Sequence, residues 1–392
     1  MGSKLLTWCE RHVHGAGSRP RAESARLEQV TVVIPSYGRQ DFLLRQLSYW
    51  SDRKARVVIV DGSPRPFDVD TLRLVAALPS ITYVHAAGTI GQRLKIAADL
   101  VETPYAVLSG DDEFLLTRGL ARAIDKLDAQ SDLVACIGQS IGFYPSNDGR
   151  STTYAAGYPH WRYEVLQDTA RARLVHAMGT YNAATCYAVI RRPAWVRSWG
   201  AILPWSSPYA TELQQAIAVY SAGKLSTVDD VYWMRSFENP PVRTKAESNL
   251  KLMFIDWWTS QAYAAEREQF VEVLASGLSR TGQAAAADAN QIILEAVDAY
   301  LALCRRSTAA NPGVLTSMRS RVSSVARGLL PATRIAKVKG YLGIEQRGNL
   351  GTLSQLRGRQ IGNTFQVGDE LADELTDMEA LVTGFWEARL GG

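Results

Sequence analysis

Three acidic side chains follow one another directly after a short apolar segment. Asp111, Asp112 and Glu113 come after residues 105–108, which are preceded by Pro104 and are expected to form a buried strand. This much negative charge at the edge of a core costs free energy unless a cation or hydrogen-bond donors compensate it. Mg²⁺ or Mn²⁺ carrying phosphate oxygens would do so, because such ions take one or two protein carboxylates and complete their shell with phosphates and water. The simpler alternative is an acidic turn in contact with solvent.

Strand patterns alternate with helical patterns ahead of this cluster. The expected strands are 30–34, 56–60, 81–84 and 105–108, and the expected helices are 40–50, 68–77 and 89–101. Such an alternation favours right-handed crossovers and a parallel sheet with helices on both faces. Ligands of such sheets bind beyond the carboxyl ends of the strands. The polar residues expected at that edge are Ser36, Tyr37 and Arg39 after the first strand, Asp61 after the second and Asp111 after the fourth.

The second half of the chain has a mixed pattern. Strands are expected at 133–143, 185–190, 224–228 and 231–234, a helix at 209–222, and a helical pattern from 245 to about 306. We therefore expect an α/β fold with a mostly parallel central sheet and a C-terminal helical extension. The expected division of the chain is a flexible N-terminal arm (1–28), the α/β domain (29–240), the helical extension (241–306) and a basic, then acidic, C-terminal segment (307–392).

Composition narrows the class of protein. The chain has 392 residues, 46% hydrophobic and 21% charged, as in ordinary globular proteins. It has no apolar run long enough to span a membrane, and its first residues lack the hydrophobic segment of a secretory signal. The four cysteines lie far apart without metal-ligand spacing, which is typical of reduced thiols in a cytosolic protein. We expect no nucleic-acid partner, and an oligomer is compatible with the sequence.

Charge is segregated near the C-terminus. Residues 307–359 carry nine Lys or Arg and one acidic residue, whereas residues 360–392 carry seven acidic residues and one Arg. An apolar stripe at helical spacing over 315–329 lies within the basic part. It indicates either a helix on an anionic membrane surface, on the inner face of the cell membrane, or a helix packed on the catalytic domain. A third alternative is that the basic segment pairs with the acidic tail.

Four motifs occur in a recognisable order. They are Val-Ile-Pro-Ser-Tyr-Gly-Arg at 33–39, Val-Ile-Val-Asp-Gly-Ser at 58–63, Gly-Gln-Arg-Leu-Lys at 91–95 and Leu-Ser-Gly-Asp-Asp at 108–112. Over roughly residues 30–240 this order resembles the family-2-like glycosyltransferases of the GT-A fold. The resemblance implies transfer of a sugar from a nucleotide-sugar donor, usually with inversion at the anomeric carbon.

The resemblance also implies a set of donor-binding residues. They are Pro35, Ser36, Tyr37, Arg39, Asp61, Gly91, Arg93, Lys95, Ser109, Gly110, Asp111 and Arg235. Asp61 matches the acid that hydrogen-bonds the nucleobase or ribose, although a short acid after a strand is also a common turn former. Arg93 and Lys95 would face phosphates at a helix N-terminus or, alternatively, would be solvated charges on an amphipathic helix. Arg235 would hold the leaving diphosphate.

The acidic cluster departs from the Asp-x-Asp pattern of that family. Ser109 takes the place of the first Asp in one register, and Asp111 pairs with Glu113 in the other. The expected metal ligands are Asp111, Asp112 and Glu113. The expected catalytic residues are Asp112 and Glu212, the latter as the general base that deprotonates the acceptor hydroxyl.

A plainer role for Glu212 is that of a first-turn carboxylate favoured by the helix dipole. Asp229 and Asp230 are the substitute candidates for the base.

These features predict a glycosyltransferase dependent on Mn²⁺ or Mg²⁺. It would move a sugar from a UDP- or GDP-type donor to a hydroxyl of a glycan or lipid-linked acceptor, in cell-surface glycan or glycolipid assembly. Two alternatives remain open at this point. One is a nucleotidyltransferase with the same type of sheet, and the other is an inactive module that binds nucleotide sugars.

Overall fold

The computed structural model describes residues 3–15, 23–146, 149–157, 163–239, 252–310, 349–358, 360–361 and 365–390. The strands are β1 Val30–Ser36, β2 Arg56–Asp61, β3 Ile81–His85, β4 Tyr105–Leu108, β5 Phe114–Leu115, β6 Leu133–Pro145, β7 Thr152–Ala156, β8 Val189–Arg191, β9 Lys224–Ser236, β10 Asn349–Gly351, β11 Gln360–Ile361 and β12 Phe365–Gln366. The helices are α1 Ser3–Gly15, α2 Ser24–Leu27, α3 Gln40–Trp50, α4 Val69–Ala76, α5 Ile90–Leu100, α6 Thr117–Ala129, α7 Ala170–Gly179, α8 Arg192–Arg197, α9 Pro208–Ala222, α10 Phe254–Thr259, α11 Ala264–Arg280, α12 Ala286–Ala310, α13 Leu353–Leu356 and α14 Asp369–Leu390. Short 3-10 helices span Ala183–Tyr187, Trp199–Ala201 and Gln261–Tyr263.

The first four strands form a parallel sheet in the order β3-β2-β1-β4. Strand β1 is buried along almost its whole length, as expected for a strand of a parallel sheet covered on both faces. Two of the connecting helices, α4 and α5, start at side-chain caps. Asp68 accepts a hydrogen bond from the backbone of Thr71, and Thr89 forms a capping box with Gln92. These caps determine where the chain leaves the carboxyl ends of the strands.

The sheet continues beyond β4 with mixed strand directions. Strand β8 pairs antiparallel with both β4 and β6, β7 pairs antiparallel with β6, and β9 runs parallel to β6 and antiparallel to β5. Helix α5 packs against β1 and β2, and α6 packs against β6 and β9. The predicted α/β fold with a C-terminal helical extension is confirmed, and the sheet is parallel over β1 to β4 and mixed beyond them.

Two local predictions need correction. Residues 185–190 do not form one strand, since Ala183–Tyr187 is a 3-10 helix whose start is capped by Asn182, and only Val189–Arg191 pairs in the sheet. The two strands expected at 224–228 and 231–234 are one bent strand, β9, whose pairing with β6 is interrupted by register shifts. Bulges of this kind bend a strand and change the direction of its side chains.

The N-terminal segment expected to be a flexible arm contains a packed helix. Helix α1 contacts α3 and α14, and its Leu5, Trp8 and Cys9 are buried. Its apolar residues recur at helical spacing and cover one face, which explains the packing.

The C-terminal helix α14 is bound to the sheet domain by carboxylates. Glu374 accepts hydrogen bonds from the backbone and, at 2.7 Å, from the hydroxyl of Thr117, and Glu379 accepts one from the backbone of Thr152 at 3.2 Å. Arg357 lies 4.0 Å from Asp373, so the acidic tail contacts both the sheet domain and the end of the basic segment. The apolar stripe at 315–329 lies outside the described residues.

The helical extension shares the core of the sheet domain. Trp257 and Phe270 pack on Trp205, with ring centroids 6.1 and 5.5 Å away, and their buried neighbours continue into the core around the sheet. None of the helices in the described ranges is both long enough and apolar enough to cross a bilayer.

Replacing Phe385 in α14 tests how much this helix contributes to stability. The ring is fully buried between Trp8, Phe42 and Arg45. Phe385→Ala should lower the free energy of unfolding by about 3–5 kcal/mol, because it leaves a cavity at the helix interface. Urea denaturation measures this change.

Leu390→Ala in the last turn of the same helix is the matched control, since this side chain is 55% exposed. It should change the free energy of unfolding by less than about 0.5 kcal/mol. Equal urea midpoints for the wild type and Phe385→Ala would contradict the view that α14 is part of the core.

Candidate functional site

The acidic residues after β4 meet a serine and an arginine from the end of β1. The Ser36 hydroxyl donates a 2.7 Å hydrogen bond to Asp111, and Nη1 of Arg39 lies 3.0 Å from both Asp111 and Asp112. Asn239, which follows β9, donates at 2.7 Å to the same oxygen of Asp112, Oδ2, that Arg39 contacts. The parallel pairing of β1 with β4 brings these groups to one edge of the sheet, as the sequence predicted.

Asp111 carries two opposing influences on its ionisation. Burial and the charge of Asp112 raise the pKa of Asp111 to about 6, whereas Arg39 and the Ser36 hydroxyl favour the charged form. The net result is a carboxyl group that gains affinity for protons and for cations alike.

Side chains of helix α3 donate hydrogen bonds to the backbone carbonyls of the acidic cluster. Nη2 of Arg45 donates to the carbonyl of Asp112 at 2.9 Å, and the Gln46 amide donates to the carbonyls of Asp111 and Glu113 at 3.2 and 2.6 Å. Arg45 is also bound in bidentate fashion by the carboxylate of Glu238, and both side chains are fully buried. These contacts hold the turn after β4 rigidly against α3.

Glu113, expected as a third metal ligand, faces the core instead. Its carboxyl oxygen accepts a hydrogen bond from Nε1 of Trp233 at 3.1 Å, and the side chain packs over Gly110. Burial and the charge of Asp112 raise the pKa of Glu113 to about 8, partly offset by Arg235. A carboxyl group so enclosed is neutral at neutral pH, so the structure offers the pair Asp111 and Asp112 as cation ligands.

Asp61 lies at the end of β2, and three groups donate hydrogen bonds to its carboxylate. It is completely buried and accepts hydrogen bonds from Gln40 at 2.7 Å, from the Tyr83 hydroxyl at 2.8 Å and from the backbone of Ser63 at 2.9 Å. The structure shows the turn-forming role of Asp61, and its contact with a nucleobase or ribose stays a prediction. The carboxylate forms the turn at Ser63 and also stands at the site edge.

Arg93 reaches the loop after β2 from helix α5. Its guanidinium lies where a Cβ at Gly62 would be, so only glycine leaves room for it. Nη1 donates to the carbonyl of Gly88 at 2.7 Å, and the group lies 5.8 Å from the ring of Tyr37, which is 59% exposed. Lys95 is exposed and, two positions further along the helix, lies on a different face.

The other predicted donor residues have mainly packing roles in the structure. Gly91 packs against Ile202, Pro35 lies within β1 opposite Val60, and Ser109 joins the sheet through its backbone bond to Val33. Arg235 on β9 is half-buried and lies 5.4 Å from the ring of Phe237. Its charge acts on Glu113, which places Arg235 beside the acidic cluster.

Glu212 lies in the first turns of α9, in a mostly aromatic pocket. The hydroxyl of Tyr181 donates to its carboxylate at 2.7 Å, and burial raises the pKa of Glu212. The Tyr181 hydroxyl is also 3.9 Å from the thiol of Cys186. A buried carboxylate with a raised pKa is a suitable proton acceptor.

A chain of contacting side chains connects this pocket to the acidic cluster. Tyr187, next to Cys186, stacks on Trp233 with ring centroids 4.1 Å apart, and Trp233 donates to Glu113. Of the substitute bases, Asp230 lies 3.4 Å from Arg118 of α6, and Asp229 is exposed.

The carboxylate pair fits a divalent cation. Within the described ranges no three His, Cys, Asp or Glu side chains converge on one point suited to a metal ion. Mg²⁺ and Mn²⁺ need only one or two protein carboxylates when phosphates and water complete the shell. Asp111 and Asp112 supply that number, and Arg39, which now bridges them, would have to yield one of its contacts.

Several residues of the site were not predicted. They are Gln40, Arg45, Gln46, Tyr83, Tyr181, Trp233, Glu238, Asn239 and Trp386. The sequence did contain one signal, since Arg45 and Gln46 interrupt the apolar run of α3 and are both fully buried. Buried polar side chains inside a helix need partners, and here the partners are the carbonyls of the acidic turn.

Comparison with solved structures shows distant likenesses. The chain is similar to a crystal structure of S. aureus TarS 1–349, with 12% identity, a TM-score of 0.46 and coverage of 71% of this chain and 74% of that chain. For TarS 1–349 in complex with UDP-GlcNAc the identity is 12%, the TM-score 0.40 and the coverage 69% and 89%. For a longer crystal structure of S. aureus TarS the identity is 11% and the TM-score 0.38. The match covers 69% of this chain and 54% of that one, so this chain spans about half of the longer structure.

No family model and no curated protein matches the sequence. At these identities and TM-scores the likeness to TarS does not identify the ligand of this chain.

The raised pKa of Glu113 makes stability dependent on pH. The folded state keeps the proton up to about pH 8, whereas the unfolded chain releases it near 4.5, so the free energy of unfolding falls as the pH rises through this interval. The fall approaches about 1.4 kcal/mol per pH unit for one proton. Glu113→Gln keeps an acceptor for Trp233 and should flatten the fall, as measured by urea denaturation across a pH series.

Asp111 contributes with the same sign only up to about pH 6, so above pH 6 the difference in slope between the wild type and Glu113→Gln reports Glu113. Glu102→Gln, on the exposed surface, is the control and should keep the wild-type slope. An unchanged slope in Glu113→Gln would show that this carboxyl group titrates normally.

Proposed function

We propose that the chain is a glycosyltransferase that uses a nucleoside-diphosphate sugar. The observation that carries this proposal is the meeting of Ser36, Arg39, Asp61, Arg93 and Asp111 at the carboxyl edge of β1, β2 and β4. Cations and hydroxyls lie there beside carboxylates, as binding of a diphosphate through a metal ion requires. The exposed ring of Tyr37 at the same edge offers a surface for a nucleobase.

The proposed reaction displaces the diphosphate from the sugar. An acceptor hydroxyl oxygen attacks the anomeric carbon, and the bond from that carbon to the diphosphate oxygen breaks, so the nucleoside diphosphate leaves with the electron pair. Glu212 takes the hydroxyl proton. Attack from the face opposite the leaving group would invert the anomeric configuration. The raised pKa of Glu212 supports its role, because a base is most effective when its pKa is near the working pH.

Asp111 and Asp112 are the residues that would hold Mg²⁺ or Mn²⁺. The ion would offset the negative charge on the diphosphate as it leaves. Arg39 contacts both carboxylates, and Arg235 lies beside the cluster, so both are positioned to take up charge on the phosphates. Asn239 keeps Asp112 oriented toward this group.

The nature of the acceptor, binding to a membrane surface and formation of an oligomer stay predictions. A glycan or lipid-linked acceptor, an anionic membrane surface and an oligomer follow from the sequence reading alone. Co-sedimentation with anionic liposomes, with and without residues 312–392, tests the membrane prediction.

Donor binding is the first test. UDP-GlcNAc, UDP and a GDP-sugar are added with and without Mn²⁺, and thermal unfolding is recorded. A ligand at 100 times its dissociation constant should stabilise the folded state by about 2.7 kcal/mol. Asp111→Asn should lose the part of this stabilisation that needs Mn²⁺.

Product analysis completes this test. Release of a free nucleoside diphosphate supports glycosyl transfer, whereas release of pyrophosphate indicates a nucleotidyltransferase. Binding without turnover points to an inactive module, and absence of nucleotide binding removes the proposal.

Glu212→Gln tests the base. The variant should bind the donor with unchanged affinity but turn over about 10²- to 10⁴-fold more slowly, because only proton removal is lost. Calorimetry gives the affinity and release of nucleoside diphosphate gives the rate. Asp229→Asn is the matched control and should keep wild-type turnover. If Asp229→Asn is slow and Glu212→Gln is not, the base has been misassigned.

A further inference from the structure

The C-terminal helix α14 reaches a cavity beside the acidic pair. The cavity has a volume of about 530 Å³ and lies between the start of α3, the loop after β2, Asn239 and Arg389. Arg39 forms part of its wall, and the same guanidinium bridges Asp111 and Asp112. A ligand in this cavity would therefore touch the residues that hold the acidic pair.

The cavity wall is rich in positive charge. Arg39, Arg65 and Arg389 line it, against a single carboxylate from Asp41. The cavity also faces the N-terminus of α3, where no side chain caps the helix. Helix N-termini and arginines both favour anions, so the two features act in the same direction.

Arg389 is held in place for such a role. Its guanidinium lies 5.0 Å from the ring centroids of Phe42 and Trp386 and 5.7 Å from that of Phe385, and its Nε is 3.5 Å from Asp41. Cation–π contacts of this kind orient the side chain without using its hydrogen-bond donors. The side chain remains 34% exposed, on the cavity side of α14.

Helix α14 also positions Asn239. Nε1 of Trp386 donates to Glu238 at 2.6 Å, Glu238 is bound to Arg45, and the next residue, Asn239, donates to Asp112. The helix therefore lines the cavity directly and is linked to the acidic pair through Glu238 and Asn239.

We propose that Arg389 is a donor-binding residue, and that the cavity takes phosphate groups of the donor. The inference rests on the proposed function and adds to it a residue from the far end of the chain. It predicts that phosphate binding, but not nucleoside binding, depends on Arg389. It also predicts that Asp41, the counter-ion of Arg389, weakens phosphate binding.

Titration calorimetry with UDP, uridine and inorganic pyrophosphate tests this proposal. Arg389→Met keeps the apolar stem that packs on the rings but removes the charge. This variant should raise the dissociation constants of UDP and pyrophosphate about tenfold, as expected for the loss of one charge-assisted hydrogen bond. The dissociation constant of uridine should not change. Asp41→Asn should tighten pyrophosphate by about two- to fivefold, an effect that a purely structural role of Arg389 would not produce.

Arg56→Met is the matched control. Arg56 lies at the opposite end of β2 from Asp61 and pairs with Glu102 at 2.9 Å on the exposed surface. Arg56→Met should bind all three ligands with the affinity of the wild type. Thermal unfolding of each variant verifies that it is folded.

The outcomes separate this inference from the proposed function. If the wild type binds UDP and Arg389→Met binds it equally well, the inference is overturned and the proposed function stands. If pyrophosphate binds through Arg389 but no nucleotide binds, the proposed function fails and Arg389 remains an anion-binding residue. If neither ligand binds the wild type, both fail.

Discussion

Three successive carboxyl groups at the end of a buried strand impose the main constraint on this structure. Asp111, Asp112 and Glu113 cannot all remain charged there without partners. The chain meets this constraint in two ways. It turns Glu113 into the core beside Trp233 with a raised pKa, and it surrounds the other two with Ser36, Arg39 and Asn239. Helix α3 fixes the turn itself through Arg45 and Gln46.

This arrangement divides the acids by role. One is an enclosed structural group with a raised pKa, and the other two form a pair that an arginine bridges. The division arises from the direction of each side chain at the strand end and not from residue type, since all three are acidic. The same principle applies to Glu212, where enclosure beside Tyr181 raises the pKa of a residue that on a helix surface would be only a solvated charge.

Much of the first half could be predicted from sequence. Helix α3 and strand β4 lie at the predicted bounds, and Ser36, Arg39 and Asp111 meet because carboxyl ends of parallel strands share an edge. Periodicity and strand order are local signals, and they sufficed there. Glu113 could not be predicted in the same way, because its direction depends on Trp233, which is 120 positions away.

The rest of the site could not be predicted from the sequence, because it depends on partners from elements that are distant along the chain. Glu238 and Asn239 follow the bent strand β9, and Trp386 lies within helix α14. Nothing in their spacing indicates that they meet near Asp112 and Arg45. The acidic composition of the tail did indicate a contact with positive charge. Two of its carboxylates do pair with arginines, and two others accept from backbone and hydroxyl groups at the starts of α6 and β7. The latter two sites exist only in the folded sheet.

The position of α14 in the fold has a consequence for folding during synthesis. Its Trp386 contacts Glu238, 148 positions earlier, and Glu238 binds Arg45, a further 193 positions earlier. Arg45 in turn holds the turn at Asp112, so contacts of long sequence separation complete the interior. Chains emerge from the ribosome N-terminal end first, and contacts of long sequence separation form late. A nascent chain would therefore carry Trp8 and Phe42 without the cover of Phe385 until α14 has been synthesised.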